Sequence, residues 1–296
     1  MLLHFSGDVR GWCHSRNCRP LPEEIWQTPV AVMPSYHIVG IERQDQPRFR
    51  RLCRSRRQER PGLISNFLDS GVYSNWFRTS GVDYISYMDG YARFIRRYQS
   101  GIDCYANVDV IGDPQWTWQH QQYLEQEYGL RPVPVVHYGT SLRWLDHYLE
   151  RGYAMIGLGG LAKVTPRSKG HLWLDRVFQH ICSVATGGPR IKLHGFGITD
   201  HTTLLRYPWW SVDSSSWVKC AVFGSVLVPP QRQGEFCLRK QPWIITTSLT
   251  RMRGEHTARL HSCTKANHYN KLSTLARKRV DDWFQEIGVP LGRVRS

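Results

Sequence analysis

The chain has 296 residues, 41% of them hydrophobic, enough for one large buried core, and no apolar run approaches the roughly 20 residues that cross a bilayer. Met1 to Gly7 is too short and too mixed for a secretory leader, so a soluble, cytoplasmic protein with no membrane partner is expected. Lys and Arg total 39 against 24 Asp and Glu, a formal net charge of +15, which points to a polyanionic partner and most directly to nucleic acid.

From the N-terminus, short apolar runs at 2–6, 31–35, 63–68, 103–108, 133–137, 154–158, 192–196 and 210–212 read as strands. Longer amphipathic stretches lie between them. Residues 116–128 read as a helix, and so do 141–151, which place Leu142, Trp144, Leu145, Tyr148 and Leu149 near one face as core. Such alternation without a break in composition predicts an α/β fold, a (β/α)8 TIM-like barrel filling a single domain over 1–296. Two basic insertions are expected. One spans about 42–61 and carries Arg48, Arg50, Arg51, Arg54, Arg56, Arg57 and Arg60. The other, about 229–263, is rich in Arg, Gln and Thr. Both are candidate nucleic-acid contacts, with Arg50, Arg51, Arg54, Arg56 and Arg57 foremost. Residues 273–287 predict a closing helix with Leu275, Val280, Trp283 and Phe284 inward. The cysteines, at Cys13, Cys18, Cys53, Cys104, Cys182, Cys220, Cys237 and Cys263, lack the regular spacing of a small secreted disulfide framework and are expected to be reduced.

In a barrel, function belongs at the C-terminal ends of the strands. There the chain carries Asp69-Ser70-Gly71, Asn107-Val108-Asp109, His137-Tyr138-Gly139, Gly157-Leu158-Gly159-Gly160, His194-Gly195-Phe196-Gly197 and Val212-Asp213-Ser214. Singly, each has a plain structural reading. Asp-Ser-Gly is a common turn, Asp109 or Asp213 can cap a following helix, and a lone His137 is more often a core or loop histidine than a catalytic one. Converging on one mouth, Asp69, Asp109 and Asp213 are what acid/base and nucleophilic chemistry at a glycosidic carbon requires. The run from Gly157 to Ala162 also has the spacing of a dinucleotide-binding turn. That turn opens a helix at once, whereas Val164, Thr165 and Pro166 interrupt helix growth here.

Asp69-Ser70-Gly71-Val72-Tyr73 resembles the Asp-Ser-Gly-Gly-aromatic motif of tRNA-guanine transglycosylases, and Gly159-Gly160-Leu161-Ala162 is identical to their Gly-Gly-Leu-Ala motif. The stretch from Leu193 to Thr199, followed by Tyr207-Pro208-Trp209-Trp210-Ser211-Val212-Asp213-Ser214, is similar to the compact phage branch of that superfamily, which acts on DNA. The resemblance covers roughly 63–229. It implies exchange of guanine in DNA for a 7-deazaguanine such as 7-cyano-7-deazaguanine, with Asp213 as nucleophile and Asp69 as general acid/base. It further implies that Asp109 reads the Watson–Crick edge of the base, that Tyr73 stacks on it, and that Ser70, Gly159, Gly160 and Leu161 line its site. His137 stands where the family places a base-binding Gln, and Val72 and Ser74 also depart from the tRNA enzymes.

The tRNA enzymes bind zinc through Cys-x-Cys-x2-Cys and a distant His, thiolates spaced as that metal requires. This chain has no such cluster, so no cofactor is expected. The alternative is a dispersed zinc site from Cys237, Cys263 and His268. A duplex hides the reacting carbon, so the DNA must be unpaired or flipped, with Trp76, Trp209 or Trp210 as candidate wedges. The rival readings are the same exchange on tRNA, a non-catalytic binder of modified DNA, and a hydrolytic DNA glycosylase.

Overall fold

The computed structural model describes residues 1–6, 30–41, 49–50, 52–54, 63–72, 83–162, 164–165, 167–182, 187–215, 225–246 and 268–288. The chain divides into two compact units, Met1–Ile198 with Tyr207–Ser215, and Thr199–Arg206 with Ser216–Ser296.

The first unit is built on strands β1 (Leu2–Ser6), β2 (Val30–Met33), β3 (Leu63–Leu68), β4 (Cys104–Tyr105), β5 (Val135–His137), β6 (Met155–Gly159), β7 (Lys192–Gly195) and β8 (Ser211–Ser214). Its helices are α1 (Tyr84–Tyr98), α2 (Pro114–Tyr128), α3 (Arg143–Glu150) and α4 (Arg167–Ile181). The eight strands form one sheet in the order β4-β3-β2-β1-β8-β7-β6-β5, and every pair in it is parallel. The first strand therefore pairs with the eighth, which an open doubly wound sheet does not do and a curled one does. At the remaining edge, β4 and β5 share no ladder. A single parallel bridge, Ala106 to Val133, joins them, with Val133 N–H donating to Tyr105 O at 2.8 Å and Asn107 N–H to Val133 O at 3.0 Å. The fold is thus a curled parallel α/β sheet compatible with a TIM-like barrel, and the ladder does not close the ring. Strand 103–108 was expected to be longer than the two-residue ladder found. Beyond Tyr105 the ladder gives way to the single bridge at Ala106, and the side-chain amide of Asn107 donates to Thr117 O at 2.8 Å, tying the strand end to α2.

Alternation along the strands sorts the side chains. Met33, Phe67, Ala106 and Val133 pack together with Cys104, Met155 and Phe196, while Val32, Leu68 and Val108 pack with Tyr91, Ile95 and Leu124 of the helices. Gly157 makes room in the first set: a Cβ there would lie 2.2 Å from the Phe196 ring. Helix α1 buries Tyr87, Met88, Tyr91, Ala92, Phe94, Ile95 and Tyr98. Burial of each large one contributes about 1.5–3 kcal/mol. Tyr91 also satisfies its hydroxyl by donating to Ala106 O at 2.9 Å.

The second unit contains helix α5 (His201–Arg206), strands β9 (Ser225–Val228), β10 (Gln231–Arg232), β11 (Glu235–Phe236) and β12 (Trp243–Thr246), and helix α6 (Thr274–Glu286). Strands β9 and β12 pair antiparallel, and Val228, Ile245 and Val280 form the core against Trp283 and Phe284. Leu275 departs from its expected inward position and is 62% exposed, because it sits in the first turn of α6 beyond that core. Among the described residues no helix is long and apolar enough to cross a membrane.

Candidate active site

Parallel strands all end at one edge of the curl, so residues far apart in sequence meet there. Asp69 follows β3, and its backbone continues the sheet through a parallel bridge to Ser35. Gly71 N–H donates to Asp69 Oδ2 at 3.1 Å, closing the turn expected of Asp-Ser-Gly. Gly71 has φ +76°, and a Cβ there would lie 2.6 Å from His37 N, so only glycine fits. Ser70 is 1% exposed and its carbonyl accepts from the Tyr87 hydroxyl at 2.6 Å, which fixes the turn against α1.

Asp109 follows β4. It does not cap α2: Asp113 does, accepting from Trp116 N–H at 3.0 Å with Pro114 opening the helix. Asp109 instead receives His137, whose Nε2 lies 2.7 Å from Oδ2. The His137 side chain is 3% exposed and that of Asp109 19%. His137, at the end of β5, is therefore withdrawn behind the carboxylate it holds. Gly159 on β6 allows this, since a Cβ there would stand 3.1 Å from the His137 ring. Gly160 (φ +75°) is exposed and Leu161 partly so.

Asp213 lies on β8. Gly197 N–H, in the turn after β7, donates to Oδ1 at 2.6 Å. Below it, His194 Nε2 is 3.6 Å from the same oxygen. His194 is fully buried, with its Nδ1 2.8 Å from Ser211 Oγ. Its ring packs against those of Phe67, Phe196 and His4, with centroids 4.7, 4.6 and 5.6 Å away. On β1, His4 is 2% exposed, and its Nε2 is 3.0 Å from Ser65 Oγ. Burial, and then the neighbouring His194, pull its imidazole down to about 4. Each of these polar residues occupies an interior position on a strand.

The carboxylates interact. Burial first, then the charges of Asp213 and Asp109, push Asp69 up to about 7, against the opposing Gly71 N–H. One carboxyl of the set therefore holds a proton near neutral pH within electrostatic reach of the others, which is the arrangement of an acid beside a nucleophile.

Several expected site residues fall elsewhere. Tyr73, Arg51, Arg56, Arg57 and Trp76 lie outside the described residues. Arg50 and Arg54 are exposed, and Arg50 Nε donates to Tyr98 OH at 3.0 Å. Trp209 is core, edge-on to Phe178 at 5.1 Å. Trp210 precedes β8 at the opposite strand end, where Lys192 Nζ sits 4.3 Å from its ring. Neither can be a wedge at this mouth. A depression lined by Trp118, Glu125, Arg131, Arg151 and Tyr153 also lies at that opposite end, ahead of β5 and β6, away from the carboxylates. Cys263 is outside the described residues, and among the described ones no three His, Cys, Asp or Glu gather as metal ligands. Two groups that sequence reading left without a role are Gly197 N–H and His194. The signal for the latter was a histidine at an interior register of an apolar strand.

A scan against protein-family models finds no match to this chain, and a search of curated proteins finds none either.

Proposed function

We propose that the chain is a transglycosylase that exchanges guanine in DNA for a 7-deazaguanine on a (β/α)8 barrel, by double displacement through a covalent sugar ester. The observation that carries this reading is the mouth itself: Asp69, held up to about 7, within electrostatic reach of Asp213 and Asp109. Supporting the barrel are the pairing of β1 with β8 and the bridge from Ala106 to Val133. The motif resemblance and the net charge of +15 support the substrate class.

Asp213 attacks C1′ and the bond to guanine N9 breaks, passing through an oxocarbenium-like state. Asp69 gives its proton to the departing purine and, as a carboxylate, removes one from N9 of the incoming base, which then displaces Asp213. Asp109 accepts from N1–H and the exocyclic amine of guanine, donors that adenine does not present together. His137 holds one of its oxygens at 2.7 Å and so fixes the direction of the remaining lone pairs. Configuration at C1′ is retained.

The test is incorporation of radiolabelled guanine into DNA and, in parallel, into unmodified tRNA by wild type and Asp213→Ala. Label in DNA only with the intact carboxylate is the expected result. Label in tRNA transfers the exchange to the other nucleic acid, and none in either overturns the reading.

A further inference from the structure

Asp213 Oδ1 is approached by Gly197 N–H at 2.6 Å and by His194 Nε2 at 3.6 Å, while no protein donor stands against Oδ2 among the described residues. The two oxygens of this carboxylate are thus unequal. His194 is fully buried, and its Nε2 has no hydrogen-bond partner, although a buried polar atom without one is costly. Its other nitrogen is engaged by Ser211 Oγ at 2.8 Å. The titratable groups around the carboxylate are His4 from β1, His194 from β7 and Asp69 after β3.

We infer that His194 is a positioning residue for Asp213: Ser211 donates to Nδ1 and so places the imidazole proton on Nε2, which faces the Oδ1 that Gly197 N–H holds and leaves Oδ2 as the attacking oxygen. A neutral imidazole with its proton on Nε2 lets Nδ1 accept from Ser211 and turns an N–H toward the carboxylate from the sealed side, 3.6 Å from Oδ1. The opposite tautomer, donating from Nδ1 to Ser211 Oγ, sets the Nε2 lone pair against the lone pairs of Oδ1. When the ester forms through Oδ2, Oδ1 becomes its carbonyl oxygen. When the second base displaces Asp213, charge returns to both oxygens, and the two donors stabilise the departing carboxylate. His4 supports this from behind by packing edge-on to the ring, itself bonded to Ser65.

The tautomer part of the inference concerns the carboxylate alone, whereas its kinetic part rests on the proposed reaction, and the two are tested separately. Long-range proton–nitrogen correlation on the full-length 15N-labelled chain, with His194→Gln identifying the signal, should show a protonated Nε2 and a bare Nδ1. A proton on Nδ1 with Nε2 bare overturns the inference, whether or not the protein exchanges bases. Ser211→Ala, which removes the lock but keeps the imidazole, should mix the two forms, and an unchanged pattern also overturns it.

In the exchange assay, His194→Phe fills the space without a donor. It should lower kcat at least about tenfold with KM for DNA within about twofold, since donors to a reacting carboxylate act on the chemical step. His194→Gln, which can present an amide N–H at the Nε2 position, should recover most of kcat. Equal losses in both variants, or a raised KM with unchanged kcat, mark a merely structural histidine and overturn the inference. Absence of exchange by wild type overturns the proposed reaction and leaves the tautomer to decide on His194.

Discussion

At the scale of single residues, the site is a set of carboxylates that differ only in what surrounds them. Asp69 is raised first by burial and then by the charges of Asp213 and Asp109, and its carboxyl rises from the ordinary 3.8 to about 7. The consequence for stability has a definite sign. Between those values the unfolded chain releases this proton while the native state keeps it, which favours the unfolded chain, so stability falls as pH rises from about 4 through about 7. Asp69→Asn carries no charge at any pH. Its melting temperature should match wild type near pH 4 and exceed it at pH 8, by an amount on the order of 4 kcal/mol, or several degrees. Thermal denaturation at both values measures this, and a variant less stable than wild type at pH 8 contradicts it. The same substitution should abolish exchange, and the wild-type rate should decline above about pH 7 as the acid loses its proton.

At the scale of elements, the βα turns separate a helix-capping acid from the acids of the candidate site. Helix α2 begins at Pro114 with Asp113 as its cap, four residues after Asp109, and this division leaves Asp109 unneeded by the helix. Asp113→Ala should cost about 1 kcal/mol of stability, the usual price of a lost cap, with exchange nearly unchanged. Asp109→Asn should do the reverse, keeping the helix and losing discrimination between guanine and adenine. Urea unfolding beside the exchange assay reads both, and a stability loss confined to the Asp109 variant overturns this assignment of roles.

Across the whole molecule, the net charge of +15 predicts how the proposed nucleic-acid substrate would be held. If the DNA is bound mainly through phosphates, the logarithm of affinity should fall linearly with that of salt. Contact with about five phosphates gives a slope near −4.5 for duplex and about −3.5 for single strands. Fluorescence anisotropy with a labelled oligonucleotide between about 50 and 200 mM salt measures it. A slope near zero contradicts a phosphate-led interface. Basic residues are carried by both units, including Arg131, Arg143 and Arg151 in one and Arg232, Arg239, Lys240 and Arg277 in the other.

The sequence by itself determined the eight strands of the parallel sheet and their order along the chain, whereas β9 to β12 were not read from it. Leu2–Ser6 and Leu63–Leu68 begin and end where their apolar runs do, and α2 and α6 lie within two residues of the stretches that predict them. These are local matters, since strand and helix follow from side-chain period and from the breakers between runs. It also brought Asp69, Asp109 and Asp213 forward as a group, because parallel strands all deliver their last residues to one edge. What only the tertiary structure decided is the partner of each acid. His137 is 28 residues from Asp109, and Gly197 is 16 residues from Asp213, yet each touches its carboxylate. Nothing local specifies such pairings: they arise when β4 meets β5 and β7 meets β8. Tertiary structure also turned His4, His194 and Ser211 from scattered polar residues in apolar strands into a buried group beneath Asp213. Period alone shows which face a residue takes, and only the curl of the sheet shows what it faces.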